Sequence, residues 1–358
     1  MGIRSWEESM NRVAIGRLAG IPLALFLMGG AAFAQMTEAE QRLYEAAKTE
    51  GSVTWYVSQT TTEVADRICA LFRERYADVG CNALRASGQV IFQRLQQEIG
   101  AGALQADVMS TNDDGQMYQL KQQDALAQYA PENLAHMLPA LRDAADKENY
   151  WITSDFSPLV IAYNTNLVTA EEAPKNWTDL YDPKWKGQVA IGHPGFSGSV
   201  GLWTIAMEKL YGWEFFEKLE ENEPQIGRSV ADGHNLVVSG ERKIALSPLL
   251  LIESDIRTKK APIATVFPVD GALLPASATA VLKNAPHPNA ARLFENFLLG
   301  EEVSKFLAED GRYPLRADVP IAEGMRPADS YKTITVPTEE GLAKLQEVQA
   351  KFRDTFGI

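Results

Sequence analysis

The chain has 358 residues, of which 34 are basic and 47 acidic, for a formal net charge of −13 at pH 7. This length suggests two domains, and an acidic balance with no basic cluster argues against nucleic acid as a partner. Beyond residue 34 no run reaches the ~18 consecutive apolar residues of a membrane span.

Residues 1–34 carry the pattern of an export signal. Arg4, Arg12 and Arg17 make a basic start, an apolar run extends from Leu18 to Ala34, and Ala32-Phe33-Ala34 forms a small-x-small cleavage pattern before Gln35. No cysteine stands at the cleavage point, so no lipid anchor is expected, and the mature chain is expected in the periplasm. The two cysteines, Cys69 and Cys81, read as one disulfide in an exported protein.

Strand and helix patterns then alternate. Ser52 to Val57 predicts a strand, and Val64, Ile68, Leu71 and Phe72 predict a helix. A strand follows at about Val79 to Leu84. Ile91, Leu95 and Ile99 form another helical face, which ends near Gly100 and Gly102, and Ala106 to Met109 is again a strand. This βαβαβ order implies a parallel sheet whose ligands bind beyond the carboxyl ends of the strands. The loops at those ends are rich in small polar residues: Ser58-Gln59-Thr60, Arg85-Ala86-Ser87-Gly88 and Ser110-Thr111-Asn112-Asp113.

Phe156 to Asn164 reads as one long extended run. A second α/β set follows, with a strand over 188–191, a helix from about 199, and strands at Lys243 to Leu246 and Ala264 to Phe267. Ala278 to Leu282 is extended again, and it leads to an amphipathic helix with Ala290, Leu293, Phe294, Phe297 and Leu298 on one face. Two extended crossings around an inserted unit predict an α/β fold of two lobes joined by hinge strands. One lobe would comprise 36–155 plus 279–325 and the other 156–278. The C-terminal segment 326–358 carries Leu345, Val348, Phe352 and Phe356 on a helix expected to pack on a lobe.

Gly192 to Gly201 joins a strand to a helix through Gly-His-Pro-Gly-Phe-Ser-Gly-Ser-Val-Gly. Small residues let a ligand approach the backbone, and the first helical turn leaves N–H groups free for an anion or a polar oxygen. The alternative is an ordinary N-cap with a glycine turn. The candidate ligand-binding residues of the first lobe are Ser58, Gln59, Thr60, Arg85, Ser87, Gly88, Asn112 and Asp113. Those of the second are Phe196, Ser197, Gly198, Ser199 and Asp232, with Asn235 as a further contributor, while Trp151 and Phe196 offer rings for stacking. Arg85 offers a planar fork suited to carboxylate or phosphate. Asp113 would repel an anion unless the solute also carried an amine or hydroxyl.

Several stretches, taken together, resemble a known family. They are Val53-Thr54-Trp55-Tyr56-Val57-Ser58, Arg85-Ala86-Ser87-Gly88, Ala106-Asp107-Val108, Ile161-Ala162-Tyr163-Asn164, Trp177-Thr178-Asp179-Leu180, Pro183-Lys184-Trp185-Lys186-Gly187, Val238-Ser239-Gly240-Glu241, Val281 to Pro288 and Tyr313-Pro314-Leu315. In this order they resemble the type II periplasmic solute-binding proteins of ABC importers, in the iron(III)-binding and AfuA-like branch. The resemblance implies lobes built on mixed, mostly parallel sheets flanked by helices. It also implies a small-molecule solute captured by lobe closure, a membrane permease with its ATPase as partner, a monomeric state, no cofactor and no catalysis. The sequence departs from the iron carriers where they place adjacent tyrosines: Leu246-Ser247-Pro248-Leu249-Leu250-Leu251 stands there, and leucine cannot replace a hard phenolate ligand for Fe3+. Tyr56 and Tyr163 read as structural, and His136, His193, His234 and His287 lack metal-ligand spacing, so no metal site is expected. The favoured solute is polar and anionic or zwitterionic. The alternatives are ferric iron, a sensing subunit for a membrane receptor, and a secreted serine hydrolase. Against the hydrolase, Gly195-Phe196-Ser197-Gly198-Ser199 does not complete Gly-x-Ser-x-Gly.

Overall fold

The computed structural model describes residues 36–358, so the export signal at 1–34 lies outside the described residues. The first half opens with α1 (Glu38–Glu50), β1 (Ser52–Val57), α2 (Thr62–Arg75), β2 (Gly80–Arg85), α3 (Gly88–Ala101), β3 (Val108–Thr111) and α4 (Asp114–Gln122), followed by α5 (Pro139–Ala144) and β4 (Ile152–Phe156). Next come β5 (Leu159–Asn164), β6 (Val189–Gly192), α6 (Gly198–Tyr211), α7 (Glu214–Glu221), β7 (Gln225–Gly227), α8 (Val230–Ser239), β8 (Ile244–Pro248), α9 (Leu249–Lys259), β9 (Ile263–Val266) and β10 (Ala272–Leu273). The chain returns through β11 (Ala276–Val281), α10 (Pro288–Leu298), α11 (Glu301–Glu309), β12 (Thr333–Ile334) and α12 (Thr338–Phe356).

These strands form two sheets. The first has the order β2-β1-β3-β11-β4, with β1, β2 and β3 parallel and β11 antiparallel to both neighbours. The second runs β12-β10-β5-β8-β6-β7, with β9 also pairing β5, and its β6, β7 and β8 are parallel. Helices cover both sheets, which is why strand residues of either parity are buried: Val53, Trp55, Tyr56 and Val57 are all at most 1% exposed. The first core packs Trp55, Phe72, Tyr76, Phe294 and Phe297 edge to face or tilted, and the second groups Trp177, Trp203, Phe215 and Phe216. Cys69 of α2 and Cys81 of β2 form a disulfide with Cα atoms 5.3 Å apart.

The extended run expected over Phe156 to Asn164 is two strands in two sheets. It breaks at Ser157-Pro158, where proline lacks the N–H a ladder needs. The opposite crossing, Leu274-Pro275 between β10 and β11, also carries a proline. Other element boundaries move by one to three residues from the sequence reading; β3, for instance, starts at Val108 rather than Ala106.

Candidate ligand-binding site

The parallel strands of the first sheet end at Val57, Arg85 and Thr111, and those of the second at Gly192, Gly227 and Pro248. The loops beyond these tips meet. A β-carbon built on Gly88, the first residue of α3, would lie 3.5 Å from Ser58 Oγ, 3.6 Å from Thr111 Oγ1 and 3.6 Å from Gln116 Nε2. One built on Gly198, the first residue of α6, would lie 3.6 Å from the carbonyl oxygen of Asn112. The N-termini of α3 and α6, one from each lobe, therefore border the same Thr111-Asn112 turn.

Neither of these helix ends is closed by its own side chain. Ser87 and Ser197 occupy the N-cap positions with extended backbone, yet neither makes a side-chain cap hydrogen bond. Ser197 Oγ instead lies 3.1 Å from Ser199 Oγ. The amides of both first turns, and the positive ends of both helix dipoles, are left available to an anion.

Two guanidinium groups stand at the same tips. Arg85 ends β2, is exposed, and donates through Nε to the carbonyl of Thr60 at 3.0 Å. Arg228 follows β7, is exposed, and lies over the ring of Phe196 with 5.0 Å from guanidinium carbon to centroid. Among the described residues neither has a carboxylate within ion-pair distance. The sequence reading missed Arg228. The signal was its place between the end of a strand and an N-cap serine, close to that of Arg85, which ends β2 two residues before the N-cap Ser87.

Other candidates are engaged elsewhere. Asp113 caps α4, its Oδ1 accepting from Gly115 N–H at 3.0 Å, and Asp232 closes a capping box on α8 by accepting from Ser229 N–H at 2.9 Å. Burial pushes the Asp113 carboxyl above the ordinary range, against the pull of its backbone donors. Gln59 donates through Nε2 to Ser154 Oγ at 3.3 Å, while its Oε1 and Thr60 Oγ1 are buried without a protein partner. Both border a void of about 20 Å³ beside Asp155 and Arg312, room for one water. Asn235 is exposed on α8. Phe196 is 64% exposed beside the α6 terminus. His193 is a turn residue: its Nδ1 accepts from Gly195 N–H at 2.9 Å, and burial lowers its pKa.

The departure from the iron carriers has a structural counterpart. The amides of Leu249 and Leu250 at the start of α9 are taken by the hinge crossing, through Pro158 O at 2.8 Å and Ser157 Oγ at 3.1 Å. Behind them Ser247, His234 and Asp255 form a buried relay, with His234 Nδ1 2.9 Å from Ser247 Oγ and Nε2 3.2 Å from Asp255 Oδ2. Ser247 is 0% exposed, so the relay ties α8, β8 and α9 together. Trp151, offered as a ring-stacking residue, is 6% exposed and lines a cavity of about 450 Å³ between the lobes.

The family described as bacterial extracellular solute-binding protein matches residues 105–344. The chain belongs to that family. The solute-binding protein is 26% identical over 276 residues to iron uptake protein A1 of Synechocystis sp., covering 72% of this chain and 75% of that one. Its fold matches the crystal structure of iron-bound HitA from Pseudomonas aeruginosa, with TM-score 0.72, 24% identity, and 85% of this chain and 99% of that chain covered. It also matches AfuA from Actinobacillus pleuropneumoniae with exogenous fructose-6-phosphate bound, with TM-score 0.73, 21% identity, and 86% and 99% covered. The solute-binding protein thus has the type II periplasmic-binding-protein fold and is the solute-binding subunit of an ABC importer. Among the described residues no helix is long and apolar enough to cross a membrane.

Proposed function

We propose that the solute is a small organic anion, a phosphate ester or a carboxylate, gripped between the N-termini of α3 and α6. The observation that carries this reading is the pairing of two helix ends without side-chain caps, one from each lobe, with two guanidiniums that lack carboxylate partners among the described residues. Ser87, Gly88, Ser197, Gly198 and Ser199 would supply amides and hydroxyls, and Arg85 and Arg228 would supply charge. Ser58, Thr111 and Asn112 would line the floor. The fructose-6-phosphate on AfuA supports a ligand of this chemistry.

The working cycle would be lobe closure about Ser157-Pro158 and Leu274-Pro275. The lobes would comprise the first sheet with its helices, and the inserted unit 156–275 with the C-terminal segment. A solute touching both lobes stabilises the closed state by its differential affinity. The closed monomer then docks on a membrane permease after export from a precursor cleaved near Ala34, and it binds its solute without transforming it. The reading is tested by thermal-shift and calorimetric screening of phosphate esters, carboxylates, amino-acid-like compounds and ferric citrate. Binding confined to phosphate esters or carboxylates supports it.

A second reading is ferric iron, favoured by the names of the relatives. Against it stand Leu249 and Leu250, whose side chains hold no hard oxygen. A response to ferric citrate, with none to iron-free citrate or phosphate esters, would replace the first reading.

A further inference from the structure

The last helix sits on both lobes at once. α12 is anchored in the second: Phe352 is 0% exposed and packs against Phe216 and His193, with centroids 6.0 and 5.5 Å apart. Gln349 Nε2 donates to Pro194 O at 3.1 Å, inside the loop that leads to α6. Lys351 pairs with Glu208, and Lys209 pairs with Glu340, both at 2.7 Å.

From this base two leucines, one turn apart, reach glycines on α4 and α6, one helix in each lobe. Leu345 fills the space beside Gly201 in the first turn of α6, where a β-carbon would stand only 2.5 Å from its Cδ1. Leu342 does the same on the first lobe, where a β-carbon on Gly115 of α4 would stand 2.7 Å from its Cδ2. α12 itself comes close through Gly341, whose β-carbon position is 3.2 Å from Leu202 Cδ2. Glycine at all three points removes the side chain that would hold the helices apart. The segment just before α12, Thr335-Val336-Pro337, walls the interlobe cavity that Tyr118 and Trp151 line from the other side.

We infer that α12 is an interlobe clasp. It belongs to the second lobe, and Leu342 seats in the Gly115 notch of the first. It thereby sets the spacing between the N-termini of α4 and α6, so Leu342 is a positioning residue for the cleft that need not touch the solute. Since apolar side chains pack in discrete arrangements rather than sliding continuously, opening the lobes requires Leu342 to leave its notch. The clasp follows from the packing of α12 alone and does not depend on which solute is bound.

The test is small-angle X-ray scattering on the ligand-free mature chain, with urea unfolding as a fold control. Leu342→Ala should give a larger radius of gyration than wild type while keeping a cooperative unfolding transition, because Leu342 is only half-buried. Leu342→Met should restore the wild-type profile, since methionine fills the same volume. Gly115→Ala should expand the molecule as Leu342→Ala does, and the double variant should be no larger than either single one. Superimposable scattering for wild type and Leu342→Ala would overturn the proposal. So would full additivity of the two changes, because residues sharing one contact do not act independently.

Discussion

The carbonyl oxygen of Asn112 lies 3.6 Å from the position that a β-carbon on Gly198 would take. A side chain on the first residue of this second-lobe helix would thus come to van der Waals distance of a first-lobe loop. A methyl fits there without displacing anything, whereas a branched side chain does not. Gly198→Ala should therefore bind a phosphate-ester solute almost as wild type does. Gly198→Val should bind on the order of tenfold more weakly, equivalent to about 1.4 kcal/mol set against closure. Isothermal titration of the two variants checks this, and equal affinities would show that the contact does not limit closure.

Arg85 and Arg228 stand at equivalent strand tips in opposite lobes. If both reach the same anion, Arg85→Ala and Arg228→Ala should each weaken binding by about 1.5–3 kcal/mol, the worth of a charged hydrogen bond. Their unfolding midpoints in the absence of solute should stay near wild type, since neither holds an ion pair among the described residues. Calorimetry at two ionic strengths reads the effect, and an unchanged dissociation constant removes that arginine from the site.

The relay of Ser247, His234 and Asp255 gives a pH dependence whose sign is set. Burial holds the His234 imidazole below its ordinary range and outweighs Asp255, which favours protonation; Lys259 adds to the lowering. Burial alone would raise Asp255, but hydrogen bonds from Lys259 and His234 more than reverse that. A histidine whose folded pKa is depressed binds fewer protons folded than unfolded, so its contribution is complete above about pH 6.5 and is lost as the pH falls below that value. His193, also lowered by burial, acts in the same direction. Urea midpoints should fall between pH 7 and pH 5 and fall less in His234→Gln; an equal decline in both proteins would exclude the relay as the cause.

The disulfide closes a short loop, with Cys69 and Cys81 only 12 positions apart. Cross-linking so short a segment is worth about 2–4 kcal/mol through the unfolded chain. Replacing both cysteines by serine, or adding dithiothreitol, should lower the unfolding free energy by that amount while leaving solute affinity largely intact. The link joins α2 to the start of β2, at the end of the strand opposite Arg85. A loss of affinity without a loss of stability would contradict this view.

Much of the architecture was legible in the chain alone. Alternation and 3.6-residue periodicity mark strands and helices through interactions between near neighbours. The order β1-α2-β2-α3-β3 then requires a parallel sheet with its loops at one edge, and the tip residues Ser58, Arg85, Gly88 and Asn112 follow from that edge. The cysteine pairing was equally available, because an exported chain with two thiols has one pairing to make.

What the tertiary structure decided concerns partners far apart in the chain. Ser87, Asp113, Ser197 and Asp232 look alike as small polar residues at helix starts. Asp113 and Asp232 turn their carboxylates onto backbone amides, while Ser87 and Ser197 leave theirs open. Phe196 and Arg228 meet only because β6 and β7 are neighbours, and Leu342 finds Gly115 only because α12 returns across both lobes. Periodicity and local hydrogen bonding depend on residues a few positions apart, and sequence records them directly. Which side chain finally occupies a cap, a notch or a strand tip depends on elements brought together by burial of distant apolar faces, and only the packed chain settles it.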